Sequence, residues 1–323
     1  MHIFMIIVGI IIILVLWARI EEKLIMTTTY HIPSKNLGKE FDNTAFVVLA
    51  DLHNKSFGKE NKVLIQKINK LKPDFIVIAG DMITKRYRCL PSNAFSLVEG
   101  LAKKYKIYYA YGNHEQYMEL LSSKNEAMDK ELNLSQKLNH TEEPNHIGES
   151  NYIEELNHNQ ELYYSWVQYK EKLSNLGVIF LDNKDITIMK NKDKLCISGI
   201  TLNKEYYEWK AVTEMQQGHL NTLLQKREGV FQILIAHNPV YFKEYINWGA
   251  DLILAGHLHG GMVRLPFIGG LISPQAKFLP KYDAGKFTDN EQNMIVTRGV
   301  GSHSSMPRLF NPPELVYIKL SSK

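Results

Sequence analysis

Five short apolar runs, each ending in side chains that bind metal ions, constrain the fold of this chain more than any other feature. Ala45-Phe46-Val47-Val48-Leu49-Ala50 stops at Asp51-Leu52-His53, and Phe75-Ile76-Val77-Ile78-Ala79 stops at Gly80-Asp81. Ile107 to Tyr111 stops at Gly112-Asn113-His114-Glu115, Phe231 to Ala236 at His237-Asn238-Pro239, and Leu252 to Ala255 at Gly256-His257-Leu258-His259-Gly260. Runs this short and rich in β-branched residues read as strands buried on both faces. Between the first two, Val63, Leu64, Ile68 and Leu71 recur at helical spacing and predict a crossover helix with those four on one face. In an open α/β sheet, ligands collect beyond the carboxyl ends of the strands, so all five groups are expected on one rim.

Two carboxylates, one amide oxygen and four imidazoles form a mixed hard and borderline donor set, suited to manganese, iron or zinc in two adjacent sites. Gly80, Gly112 and Gly256 precede ligands where the backbone must turn close to the ions. His257 and His259 lie two apart in extended chain and so point the same way. Any one of these residues alone would read as a helix cap or a core histidine, but five strand ends in succession do not.

The N-terminus carries a different signal. Ile3 to Ala18 has no charged or strongly polar side chain and meets Trp17 and Arg19 at its end, close to the roughly 20 apolar residues that span a bilayer. A cleaved signal peptide would show a basic n-region and a small-x-small site, and neither is visible. Residues 1–20 therefore read as a single-pass anchor, 21–43 as a stalk with an edge strand near Tyr30-His31-Ile32, and 44–323 as the folded domain. Arg19 and Lys23 against Glu21 and Glu22 leave the side of the membrane open, with Lys and Arg alone leaning to a cytoplasmic domain.

Residues 116–174, rich in Asn, Glu, Lys and His, read as an inserted helical or lid segment whose His140, His146 and His158 are solvated. Strand-like runs resume at Val178 to Leu181, Leu195 to Ile200, Met294 to Thr297 and Leu315 to Leu320. A net charge of +4 with no block of like charges gives no footprint for nucleic acid. Two cysteines, Cys89 and Cys196, are too few for a disulfide framework and read as passive thiols.

The set Asp51-x-His53, Gly80-Asp81, Gly112-Asn113-His114-Glu115, His237 and Gly256-His257-x-His259 resembles the five-part motif of the calcineurin-like metallophosphoesterases. Gly260 to Pro266, Thr297-Arg298-Gly299-Val300-Gly301, Pro307-Arg308 and Pro313-Glu314 resemble the bacterial membrane-associated phosphodiesterase branch, with UDP-2,3-diacylglucosamine hydrolases and cell-wall-linked phosphoesterases. The resemblance implies an α/β chain folded as a four-layer α/β/β/α sandwich with two mixed sheets, here preceded by a transmembrane helix. It implies that Asp51, His53 and His259 hold one divalent ion, that Asp81 bridges, and that Asn113, His237 and His257 hold the second. It makes His114 the general acid or transition-state hydrogen-bond donor, oriented by Glu115, while metal-activated hydroxide attacks a phosphodiester or pyrophosphate of an envelope- or lipid-linked substrate. Manganese is the first expectation for the metal, with iron or zinc as alternatives.

The chain departs from the family at two positions, with Ala50 where serine is usual and Glu115 where aspartate is common. Arg264, Arg298 and Arg308 suit either a phosphate or structural carboxylates such as Glu314. The aromatics Tyr163-Tyr164-Ser165-Trp166 and Tyr206-Tyr207-Glu208-Trp209 read as core, with a lipid or nucleobase contact as the lesser reading. The rivals are a metal-stabilised interaction module without catalysis and a protein phosphatase. All seven expected ligands and His114 are present, which argues against the first, and the apolar N-terminus argues against the second.

Overall fold

The computed structural model describes residues 2–84, 91–121, 165–208, 213–261, 263–265, 268–273, 278–302 and 308–323. Two six-stranded sheets carry the chain. Sheet A runs β1 (Met26–Ser34), β14 (Glu314–Ser322), β2 (Ala45–Leu49), β3 (Phe75–Ala79), β4 (Lys106–Ala110) and β5 (Val178–Leu181). Sheet B runs β12 (Gly285–Asp289), β13 (Gln292–Val296), β9 (Leu252–Ala255), β8 (Phe231–Ala236), β7 (Asp193–Ile200) and β6 (Lys184–Lys190). Both sheets are mixed. β2 to β5 are parallel, as are β7, β8, β9 and β13, while β14 against β2, β6 against β7 and β12 against β13 are antiparallel.

Strand alternation builds the layers. In β2, Val47 and Leu49 face the helices outside sheet A, whereas Phe46 and Val48 face sheet B. In β8, Ile233 and Ile235 meet them from the other side, and Leu234 and Ala236 face the helices outside sheet B. The outer helix layer on sheet A is α2 (Lys62–Leu71), α3 (Ser92–Ala102) and the helical residues 165–175. On sheet B it is the short helix His219–Leu223 and the helix Phe242–Trp248. The order is thus helix, sheet, sheet, helix.

The crossover helix forms where the sequence predicts it, with Val63 the one residue of the expected face that stays outside. Leu64 and Ile68 are buried with Ile65 and Leu71 packed beside them, while Val63 is exposed. At about 100° per residue, a stripe made by Leu64, Ile65, Ile68 and Leu71 leaves Val63 beyond its edge. Of the 116–174 insertion, residues 116–121 and 165–174 are helical. Residues 122–164, with His140, His146 and His158, lie outside the described residues, as does Cys89. Trp166 is buried, stacks on Tyr169 at 5.6 Å and meets Tyr111 edge-on, so this aromatic is core as expected.

The N-terminal helix α1 (His2–Glu21) is long and apolar enough to cross a membrane, and its side chains are exposed along most of its length. Its last turn is not free. Glu21 is buried, with its carboxylate beside the backbone N–H groups of Asn311 and Phe310. Lys55 Nζ donates to the Glu22 carbonyl at 3.0 Å, and the Met26 N–H donates to Pro313 O at 2.8 Å as β1 begins. β1 then pairs with β14 in parallel over nine residues, an edge strand longer than the Tyr30-His31-Ile32 signal suggests.

Candidate metal centre

Five ligand-bearing loops leave the carboxyl ends of β2, β3, β4, β8 and β9, and the two sheets converge there. The Gly301 N–H donates to the Asp51 carbonyl at 2.7 Å, and the His257 N–H donates to the Asp51 carboxylate at 3.1 Å. Close approach excludes side chains at the turns. A Cβ on Gly112 would lie 2.2 Å from Asp81 Oδ1, and one on Gly256 would lie 2.4 Å from Asp51 Oδ2. The ligands themselves absorb strain, since Asp51, His53, Asp81, His257 and His259 have φ between 48° and 71°. That left-handed conformation costs a non-glycine residue about 1–3 kcal/mol and persists only where surrounding structure enforces it, as functional sites do.

These turns bring the expected residues together. Asp51, His53 and His259 form one group of ligating atoms, Asp81, His237 and His257 a second, and His53, Asp81 and His114 a third, each within 4.8 Å. His237 Nε2 lies 3.1 Å from Asp81 Oδ2, and His259 Nε2 lies 3.4 Å from Asp51 Oδ1. The third group shows His114 within reach of the same carboxylate, its Nε2 4.0 Å from Asp81 Oδ2. Asn113 Oδ1 is buried without a hydrogen-bond partner, a costly state for an amide oxygen unless a cation takes it. His237 Nδ1 lies 2.6 Å from the Ala79 carbonyl, which can only accept, so the proton sits on Nδ1 and Nε2 presents its lone pair to the site.

The electrostatics point the same way. Burial alone would push the Asp81 carboxyl up, but the His237, His114 and His53 imidazoles hold it well below the usual carboxylate range. Burial pushes Asp51 up to about 7, with His237 opposing. Burial would lower His237, yet Asp81 and Asp51 raise it to about 10. A cluster that draws protons onto a buried imidazole is one in which positive charge is wanted, and divalent ions supply it by displacing those protons. The donors thus fit two divalent cations.

Glu115 is gripped by donors of its own and its neighbouring loop. Its carboxylate accepts from the backbone N–H groups of Asp81, Met82, Ile83 and Gly112 and from the Tyr109 hydroxyl, at 2.8 to 3.2 Å. It therefore fixes the β3 and β4 loops against each other and acts on His114 through the backbone that joins them. Five donors converge on one anion, so Glu115→Gln would turn an amide NH₂ toward other donors. The expected result is a loss of about 2–3 kcal/mol in urea unfolding, the scale of a charged hydrogen bond. A purely ring-orienting role would instead shift the pH profile and leave stability unchanged.

Each of the three arginines has partners within the fold. Arg264 pairs with Asp283 at 2.6 Å and Arg298 with Glu314 at 3.2 Å. The Arg308 guanidinium is buried and donates to the carbonyls of Gly299 at 3.0 Å, Gly301 at 2.9 Å, His259 at 3.0 Å and Arg298. Tyr207 packs against the core beside sheet B, as expected, and also reaches the site. Tyr206 is indeed buried, but the Tyr207 ring stands edge-on to His257 at 5.1 Å and 6.2 Å from His237. The signal was available, because Tyr207 follows the carboxyl end of β7, next to β8 on the same rim.

A sequence model described as "Calcineurin-like phosphoesterase" matches residues 44–261. The chain belongs to the calcineurin-like phosphoesterase family. Its members are binuclear metal-dependent enzymes, and the chain is accordingly a phosphoester hydrolase. Among relatives, the phosphoesterase is 25% identical over 306 residues to "Uncharacterized metallophosphoesterase YkuE" of Bacillus subtilis, covering 94% of this chain and 88% of the relative. It is 35% identical over 89 residues to "Phosphodiesterase YaeI" of Escherichia coli, covering 28% of this chain and 32% of the relative. It is 23% identical over 302 residues to a Danio rerio protein named "Transmembrane protein with metallophosphoesterase domain", covering 90% of this chain and 56% of the relative.

Proposed function

We propose that this phosphoesterase is anchored by α1 and hydrolyses a phosphodiester or pyrophosphate bond in an envelope- or lipid-associated substrate at a two-metal centre. The observation that carries the reading is Asp81, one buried carboxylate shared by the His53–His114 and the His237–His257 groups. Asp51, His53 and His259 would hold one cation, Asn113, His237 and His257 the other, and Asp81 both. When bound, the cations supply Lewis-acid stabilisation of phosphoryl charge and an acidified water. Manganese suits this donor mixture, with iron or zinc as alternatives.

The remaining work falls to side chains of the chain. The His114 backbone N–H donates to Asp81 Oδ1 at 2.9 Å, which fixes the residue over the shared carboxylate. Its ring meets His53 edge-on at 5.0 Å, and from this position it hands a proton to the departing ester oxygen. Tyr207 flanks the site beside His257 and His237. The apolar length of α1 and the transmembrane relative support the anchor, and the phosphodiesterase-named relative supports the bond type.

The test is hydrolysis of a chromogenic phosphodiester and its monoester by the full chain in detergent. Diester cleavage is expected to vanish in chelator and return with manganese. His114→Ala is expected to cut turnover by about 10²–10⁴-fold, the range for a general acid, with metal content retained. Undiminished cleavage in chelator would overturn the metal assignment.

A further inference from the structure

Ile268, Phe278, Leu279 and Phe310 are 60%, 71%, 48% and 43% exposed. They surround the hairpin β10 (Val263–Leu265) and β11 (Gly269–Ile272). Phe278 bridges to Ile272, the Leu279 N–H donates to Leu271 O at 2.8 Å, and Val263 pairs with Leu309, next to Phe310. Ile268 and Phe310 line one cleft with Leu265 and Phe287. Large apolar side chains exposed as a contiguous group mark a surface that something covers.

The occupant is indicated by where α1 ends. Glu21, in its last turn, is buried beside Phe310 and Asn311, Lys55 Nζ donates to the Glu22 carbonyl, and the Met26 N–H donates to Pro313 O. The apolar helix therefore leaves the bilayer against the loop that bears the patch. Arg19 and Lys23 are exposed at that helix end, at the level where lipid headgroups carry phosphate. We infer that the surface formed by Ile268, Ile272, Phe278, Leu279 and Phe310 rests on the bilayer that holds α1, with its apolar side chains at the headgroup and acyl-chain boundary. This inference rests on the anchor reading above.

The consequence for the site is geometric. Asn311 Nδ2 donates to the carbonyls of His259 at 2.7 Å and Gly261 at 2.6 Å, and Arg308 donates to His259 O. The membrane-facing loop is thus hydrogen-bonded to the loop that carries a proposed metal ligand. A phosphate ester in a lipid headgroup would meet the centre without leaving the surface, as an interfacial enzyme requires.

The experiment places single nitroxide labels on the full chain in phosphatidylcholine–phosphatidylglycerol vesicles, with Cys89 and Cys196 replaced by alanine. Labels go at residues 10, 268, 278 and 189, where Met189 is exposed on β6, at the far edge of sheet B. Retained hydrolysis of a soluble chromogenic ester shows that each labelled chain is folded, and Leu279 replaces any site that fails this check. Labels at 268 and 278 are expected to resemble that at 10, collecting collisions with oxygen and shielded from an aqueous nickel chelate, with 189 the reverse. If 10 is shielded and 268 and 278 behave like 189, the surface assignment fails and the anchor stands. If 10 is also open to the chelate, the anchor reading fails and takes this inference with it. Shielding of 268 and 278 that grows with protein concentration would assign the patch to a second copy and overturn the bilayer.

Discussion

Asp81→Asn is expected to empty the centre of metal and to lower turnover by more than about a thousandfold, the scale on which a lost transition-state electrostatic contact acts. The change is nearly isosteric. Asparagine keeps an oxygen that can accept the His114 backbone N–H, now made at 2.9 Å, so the β4 loop has no reason to move. What disappears is the charge that three imidazoles face in a fully buried pocket. Since Asp81 belongs to two ligand groups, both ions lose a ligand at once. Metal content by plasma mass spectrometry, measured beside the hydrolysis rate, separates this outcome from His114→Ala, which keeps its metal and loses only turnover. Retained turnover in Asp81→Asn would sink the role given to this carboxylate.

Arg308→Met is expected to destabilise the fold by about 3–5 kcal/mol, as breaking a buried charged network does. The guanidinium spans the carbonyls of His259, Arg298, Gly299 and Gly301, and an apolar side chain leaves all four without that donor. The His259 loop loosens with it, so metal retention falls as the unfolding midpoint falls. A phosphate-gripping arginine would behave differently, raising KM with thermal stability unchanged. Arg308→Lys also discriminates, because a single ammonium cannot reach four carbonyls and recovers only part of the stability.

The rim was legible in the sequence because parallel strands buried on both faces leave continuous apolar runs, and each run ends where the chain must turn into the site. The four layers were implied by the family resemblance and not by the pattern of runs. Finer packing was not legible, since Val63 and Leu64 are equally apolar and only the sheet beneath decides which one faces it. α3 carried its own signal in Ala94, Leu97, Val98 and Leu101, all buried, but Ser92, Ser96 and Gly100 dilute the period. The hairpin of β10 and β11 has none of the buried alternation that identifies a strand, because its side chains are half-exposed and Gly269 and Gly270 interrupt it. Glu115 and the three arginines were named in advance, but which partner a long charged side chain takes depends on loops far apart in sequence.

β14 lies inside sheet A, between β1 and β2, although it comes some 280 residues after β1 in the chain. At about 5–20 residues per second of synthesis, tens of seconds separate the two strands as they leave the ribosome. During that time β1 has no strand partner and one edge of β2 stays open, while the apolar helix ahead of them has already emerged. The nascent chain thus waits with unpaired strand edges, a state that invites aggregation or chaperone capture. Synthesis rate through the second half, rather than the stability of the finished sheet, should then govern how much of this phosphoesterase reaches its folded form.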